Sequence, residues 1–221
     1  DLNNSSTLYY TAGLKDAETI SERQNIMIAL IQGRAEENIV KTKKKENVFL
    51  IPSSLSLCDI RAIDFRVLKR TISNPEYDFV LIDTSPTHDN LVILSIYADD
   101  LVLSSVQFSK FNYNMTVFLM SKIMEKIPEA YEYTYILYNH WKQHHEKYAR
   151  GLQSDGKQIY DETFDNILDV KLPDTPFVDH YSQEDVRLRV TIRDAGNSRL
   201  VLGINSLVNQ ITGEDSIVEV F

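Results

Sequence analysis

The stretch YDFVLIDTSP (Tyr77–Pro86) drives one carboxylate, Asp83, to the end of an apolar run. An ionised acid at the rim of a buried segment is costly unless something offsets its charge. A hydrated magnesium ion would do so, because Mg2+ takes hard oxygen donors and keeps several of its waters. The other fitting role is local, with the acid capping the turn DTSP that follows. The residues alone leave both roles open. Other chemistry-bearing groups make weaker cases. His140 and His144 in NHWKQHHEKY are spaced to share a helix face, a metal-compatible arrangement. No third ligand stands near them and HExxH is absent, so a solvated helix with aromatic anchors is expected there. GLQSDGKQ (Gly151–Gln158) fits G-x-x-x-x-G-K, but Gln158 stands where a metal-ligating Ser or Thr belongs. It also follows a helix-like stretch, whereas a phosphate cradle needs a strand leading in. A surface loop is expected instead. Cys58 has no base or metal partner in view and reads as packing.

The elements that must position Asp83 come from hydrophobic patterning. Apolar runs at Asn47–Ile51, Asp78–Asp83, Leu101–Val106, Thr134–Asn139 and Ile167–Leu172 have the continuous character of strands covered on both faces. Between them, Thr19–Arg34, Asp59–Ser73, Asn112–Ile127 and Ser198–Ile211 carry apolar residues at helical spacing. In the first of these Ile20, Ile26, Met27, Leu30 and Ile31 fall broadly on one side. Asn112 and Asn114 are possible caps of the third. Strand and helix alternating in this order predict an α/β fold: a mostly parallel sheet flanked by helices on both faces, in one domain over residues 1–221. The basic run KTKKKE (Lys41–Glu46) reads as a solvated loop. In such sheets ligands sit beyond the carboxyl ends of the strands, where the pattern puts Asp83.

The chain has 221 residues with a formal charge of −9. That charge opposes broad attraction to nucleic acid or anionic lipid, though not a local basic patch. A single cysteine excludes an internal disulfide and fits a reducing compartment. No run reaches the roughly 20 apolar residues of a membrane span, so a cytoplasmic protein is expected.

The surrounding text resembles the ParA/MinD family of deviant Walker P-loop ATPases. EYDFVLIDTSPTHDNLVILSIYADDLVLSSVQ is similar to the family's Tyr-Asp, apolar strand, Asp, small residues and Pro. In both, a helix, Ala-Asp and a strand ending near Val-Gln follow. NVFLIPSSLSL upstream and KLPDTPFVDH downstream fit the same register. The resemblance implies a P-loop NTPase-like three-layer fold, ATP and Mg2+ as cofactors, and Asp83 as the Walker B acid that holds the metal through water. It implies that Asp1 is the first acid of the switch I segment, and that Asn3 in DLNNSST stands where the family's water-positioning acid belongs. Pro173 and Asp174 would cover the nucleotide base. Asn139 would face it or form a turn.

By the same resemblance the family's first strand and Walker A helix are absent from this stretch of chain. The residues given are therefore expected to be part of a longer protein and inactive alone. Arg187, Arg189 and Arg193 in VRLRVTIRD would bind DNA without sequence preference; the local alternative is charge pairing with Glu184, Asp185 and Asp194. The expected function is plasmid or chromosome partition by a nucleotide-dependent homodimer stimulated by a ParB-like partner. The alternatives are a catalytically impaired nucleotide-binding scaffold, marked by Asn3, or a positioning ATPase for a non-DNA cargo. The acidic end GEDSIVEVF is unlike a basic membrane-anchoring helix, so no membrane partner is expected.

Overall fold

The structure is a computed structural model that describes residues 1–3, 7, 22–42, 47–59, 64–73, 76–85, 89–107, 109–142, 144–145, 165–174 and 198–213. The chain divides into two compact units, Asp1–Asp100 with Ile123–Ala130, and Leu101–Lys122 with Tyr131–Phe221.

In the first unit, helix α1 (Ile26–Gln32) starts at Asn25, whose side chain accepts from the Ile28 N–H at 3.0 Å. It ends at Gly33, left-handed with φ 68°, whose N–H returns to the Ala29 carbonyl. The periodic stretch therefore breaks at a buried Asn rather than running on as one helix, and Ile31, expected inside, is 74% exposed. Helix α2 (Arg66–Ile72) is shorter than the Asp59–Ser73 expectation: Asp59 ends the 3-10 turn Leu55–Asp59, and Asp64 and Phe65 stand before the helix. Helix α3 (Asn90–Ala98) is capped by Asp89, which accepts from the Leu91 and Val92 N–H groups. A core of Leu2, Ile26, Ala29, Leu30, Leu57, Leu68, Leu94 and Ala98 holds these helices together.

Two of the expected strands differ. Asn47–Ile51 yields only β2 (Phe49–Leu50), which pairs antiparallel with β1 (Val40–Lys41) in a local hairpin. The Thr42 hydroxyl bonds the Val48 carbonyl at 2.9 Å and closes it. A near neighbour in sequence costs little loop entropy to pair with. Asp78–Ile82, expected to be a covered strand, has no strand assignment. Phe79, Val80 and Leu81 are exposed, Leu81 to 91%. A continuous apolar run shows a tendency to be buried but does not supply the neighbour that buries it.

The second unit contains the parallel sheet, in the order β3-β4-β5. β3 (Val102–Gln107) pairs with β4 (Thr134–Trp141) from Val102↔Thr134 to Gln107↔Asn139. β5 (Ile167–Pro173) lies on the other side of β4, reaching Trp141↔Pro173, with register irregularities before Tyr138 and before Trp141. Central β4 is the most covered strand, with Ile136, Leu137 and Tyr138 buried. Helix α4 (Lys110–Lys126) begins two residues before Asn112, and its first turn is closed by the Ser109 hydroxyl accepting from the Asn112 N–H. Asn112 and Asn114 are thus inside the helix and do not cap it. Helix α5 (Ser198–Thr212) approaches β5 closely at Gly203, where an added Cβ would lie 3.3 Å from Leu172 Cδ2.

Candidate functional site

The sequence-derived site residues fall into two groups, one in each unit. In the first unit, the chain segment 1–3 runs beside residue 83. The Leu2 N–H donates to the Asp83 carbonyl at 2.8 Å, and the Asp1 nitrogen donates to the Ile51 carbonyl at 3.0 Å. Leu2 is buried in the core, which pins this crossing, and Asp83 is half-buried at the end of the exposed Phe79–Leu81 run.

The Asp1 carboxylate is held on both oxygens. Oδ1 accepts from the Asn3 N–H at 2.9 Å, and Oδ2 accepts from the Thr7 N–H and hydroxyl at 2.6 Å each. The Thr7 hydroxyl in turn accepts from the buried Ser53 N–H at 2.7 Å. Asp1 therefore shapes the turn that carries Asn3, and Thr7 links that turn to the loop after β2. Sequence reasoning matched Thr7 only as part of a pattern; nothing in the spacing of Thr7 and Ser53 points to their contact.

The donor set bears on a metal. Among the described residues no group of three His, Cys, Asp or Glu side chains comes together as a direct cage. A single half-buried carboxylate such as Asp83 suits Mg2+, which retains its waters and needs only one or two carboxylates besides ligand oxygens. The residues fit that mode and do not fit an all-protein metal cage.

The second group lies at the carboxyl ends of β4 and β5, and the strand register brings Asn139, Pro173 and Asp174 to one edge of the sheet. The Asn139 side chain accepts from the His140 N–H at 2.8 Å. His140 is not on a helix, as its spacing with His144 predicted. It belongs to β4, in a left-handed conformation (φ 53°), and its Nδ1 lies 3.0 Å from Asp174 Oδ1. Lys142 Nζ reaches Asp174 Oδ2 at 3.1 Å. These hydrogen bonds, His140 first and Lys142 second, hold the Asp174 carboxyl below its usual range. Lys171 lies over the Trp141 ring at 4.3 Å. Pro86, Gly151–Gln158 and the arginines Arg187, Arg189 and Arg193 lie outside the described residues.

Asp99, matched in the sequence only as the acid of an Ala-Asp pattern, is a titrating group. Asp99 follows α3 at its carbonyl end, where the helix dipole disfavours an anion. Burial first, then the neighbouring Asp100, push its carboxyl from the usual 3.8 to about 7, against a smaller opposing pull from Lys69. The sign follows from linkage. Between about pH 4 and pH 7 the unfolded chain has lost this proton while the folded chain keeps it, so stability falls across that window as pH rises and then levels off. Asp99→Asn is expected to flatten that slope. It should raise stability at pH 8 by roughly 2 kcal/mol, about half the full shift because the carboxyl keeps some water contact. Urea denaturation of both proteins at pH 5 and pH 8 reads this directly. Equal gains at both pH values would show that Asp99 is ionised throughout.

A three-stranded parallel sheet with helices defines the class: an α/β protein. A family model described as an AAA domain matches residues 3–134, more than half of the chain, so the chain belongs to that family. The fold is similar to that of a plasmid partition protein from Borrelia burgdorferi, with a TM-score of 0.68 at 15% identity, covering 97% of this chain and 84% of the other. It is also similar to the MinC:MinD cell division protein complex of Aquifex aeolicus, with a TM-score of 0.58 at 16% identity over 94% and 82% of the two chains. MinD from the same organism matches at 0.58 and 17% identity over 91% and 81%. The ParA/MinD-type P-loop ATPase kinship expected from the sequence stands on these findings. No curated protein sequence matches. Among the described residues no helix is long and apolar enough to cross a membrane.

Proposed function

We propose that the protein is a ParA-type ATPase that acts in plasmid or chromosome partition, binding Mg-ATP, dimerising with nucleotide and holding DNA without sequence preference. The observation that carries the reading is the crossing of segment 1–3 past Asp83, through the Leu2 to Asp83 hydrogen bond, in a chain of this family. In this reading Asp83 holds the magnesium through water, and the metal supplies charge neutralisation at the phosphates. Asp1 keeps its turn in shape so that Asn3 faces the phosphate side. Asn139 and Pro173 lie along the base. Arg187, Arg189 and Arg193 carry the DNA contacts, and a ParB-like protein stimulates turnover. The likeness to a plasmid partition protein supports the cargo assignment. Magnesium-dependent ATP turnover by the full-length protein, measured with and without DNA and a ParB-like partner, tests it. Stimulated turnover and salt-sensitive DNA binding are expected, and binding of neither ATP nor DNA would overturn it.

A second reading, a nucleotide-binding scaffold that does not turn over, is favoured by Asn3. An amide positions a water but does not accept its proton. Asn3→Asp separates the two: a rise in turnover of at least about tenfold marks a site weakened at this residue. An unchanged and measurable rate shows that positioning by the amide suffices.

A further inference from the structure

We propose that His140 and Lys142 are positioning residues that latch the carboxyl end of β5 onto the end of β4, with the Asp174 carboxylate as the bolt. In this arrangement Asp174 acts through them and does not contact the base itself; the inference rests on the nucleotide reading above.

The geometry is specific. The Asp174 N–H donates to the Trp141 carbonyl at 3.0 Å, which extends the β4–β5 pairing one step beyond Trp141↔Pro173. Its two carboxylate oxygens are then divided, Oδ1 to His140 Nδ1 at 3.0 Å and Oδ2 to Lys142 Nζ at 3.1 Å. One partner, His140, is in β4 and the other, Lys142, follows it, some thirty residues away in sequence. Asp174 thus crosses from one strand exit to the other with main chain and side chain together.

The backbone shows that the latch is built in. His140 is the only non-glycine with positive φ among the described residues. That conformation is unfavourable for most side chains and persists where its surroundings hold it. It turns the imidazole toward β5, and the preceding Asn139 side chain caps the same peptide by accepting the His140 N–H. Lys142 is oriented in turn, since its N–H donates to His145 Nδ1 at 3.2 Å. With one partner on each oxygen, the Asp174 carboxylate is held by both side chains leaving or ending β4. Fixing Pro173 opposite Trp141 at the strand ends gives the base wall a single conformation before ligand arrives, and such preorganisation is read as affinity.

The test uses the full-length protein with His140→Asn, which tolerates the left-handed backbone, Asp174→Asn, and the double variant. The expected result is a rise of about five- to twentyfold in the Kd for ATP, similar in both single variants and no larger in the double. The preference for ATP over GTP shrinks. A loss in Asp174→Asn without one in His140→Asn would overturn the proposal, because Asp174 would then be a direct base contact. Additive losses in the double variant, or no change in any, would also overturn it. Hydrogen exchange at the Asp174 amide is read without nucleotide: about tenfold faster exchange in both variants is expected, and unchanged exchange contradicts the latch. Failure of the unaltered protein to bind ATP would instead count against the nucleotide reading, while the exchange measurement still decides the latch.

Discussion

Asp83→Asn lowers magnesium-dependent ATP turnover of the full-length protein by about 10- to 100-fold, the range for a group that holds a catalytic metal through its water. The amide keeps the size of the carboxylate and some capacity to bond water, but it loses the charge that makes a hydrated cation worth holding. Raising the magnesium concentration should recover part of the rate. The bond between Leu2 and residue 83 uses the backbone carbonyl and is kept by the substitution. Thermal unfolding without nucleotide therefore serves as the control. An Asn variant with full turnover at low magnesium would leave Asp83 as the turn cap that its sequence equally allowed.

Leu94→Ala is expected to destabilise the first unit by about 3 kcal/mol, within the span for truncating a buried leucine. Leu94 is 0% exposed and sits in α3 within the cluster that includes Leu2, Leu30, Leu57 and Leu68. Leu2 is the residue whose N–H meets the Asp83 carbonyl, so the cavity would open next to the segment that shapes the candidate site. The melting temperature should fall by roughly 10 °C, and the affinity for nucleotide should weaken with it. A change below about 1 kcal/mol by urea denaturation would mean that the helices collapse around the lost methyl groups. The described packing around Leu2 would then be wrong.

The sheet was the most legible part of this chain. The runs Leu101–Val106, Thr134–Asn139 and Ile167–Leu172 became β3, β4 and β5 with ends displaced by a residue or two. Central β4 declares itself because parallel pairing on both sides covers it and favours a continuous apolar stretch, while β3 and β5 keep exposed positions. Patterning carried less where the outcome depended on a partner. Asn47–Ile51 turned back on Val40–Lys41, and Phe79–Leu81 lies exposed despite the oiliest local sequence.

In the candidate site, Asp83 stood out because an acid after an apolar run is anomalous in any fold. Asn139 and Pro173 were placed by family register, and the strand pairing brings them to one edge. The His140–Asp174 pair was not legible, since no period or motif links residues so far apart. The spacing of His140 and His144 pointed to a helix that β4 replaces. The roles of Thr7 and Asp99 were not legible either: the first is set by contact with Ser53, far off in sequence, and the second chiefly by burial, which no local pattern states.

The most direct measurement on the central claim is the position of the metal. Crystals of the full-length protein with Mn2+ and a non-hydrolysable ATP analogue give an anomalous peak that marks the ion independently of the protein atoms. The account predicts that peak about 4 Å from the Asp83 carboxylate oxygens, with one water between them. A metal held at the triphosphate but more than about 8 Å from Asp83, with no water linking the two, would contradict it.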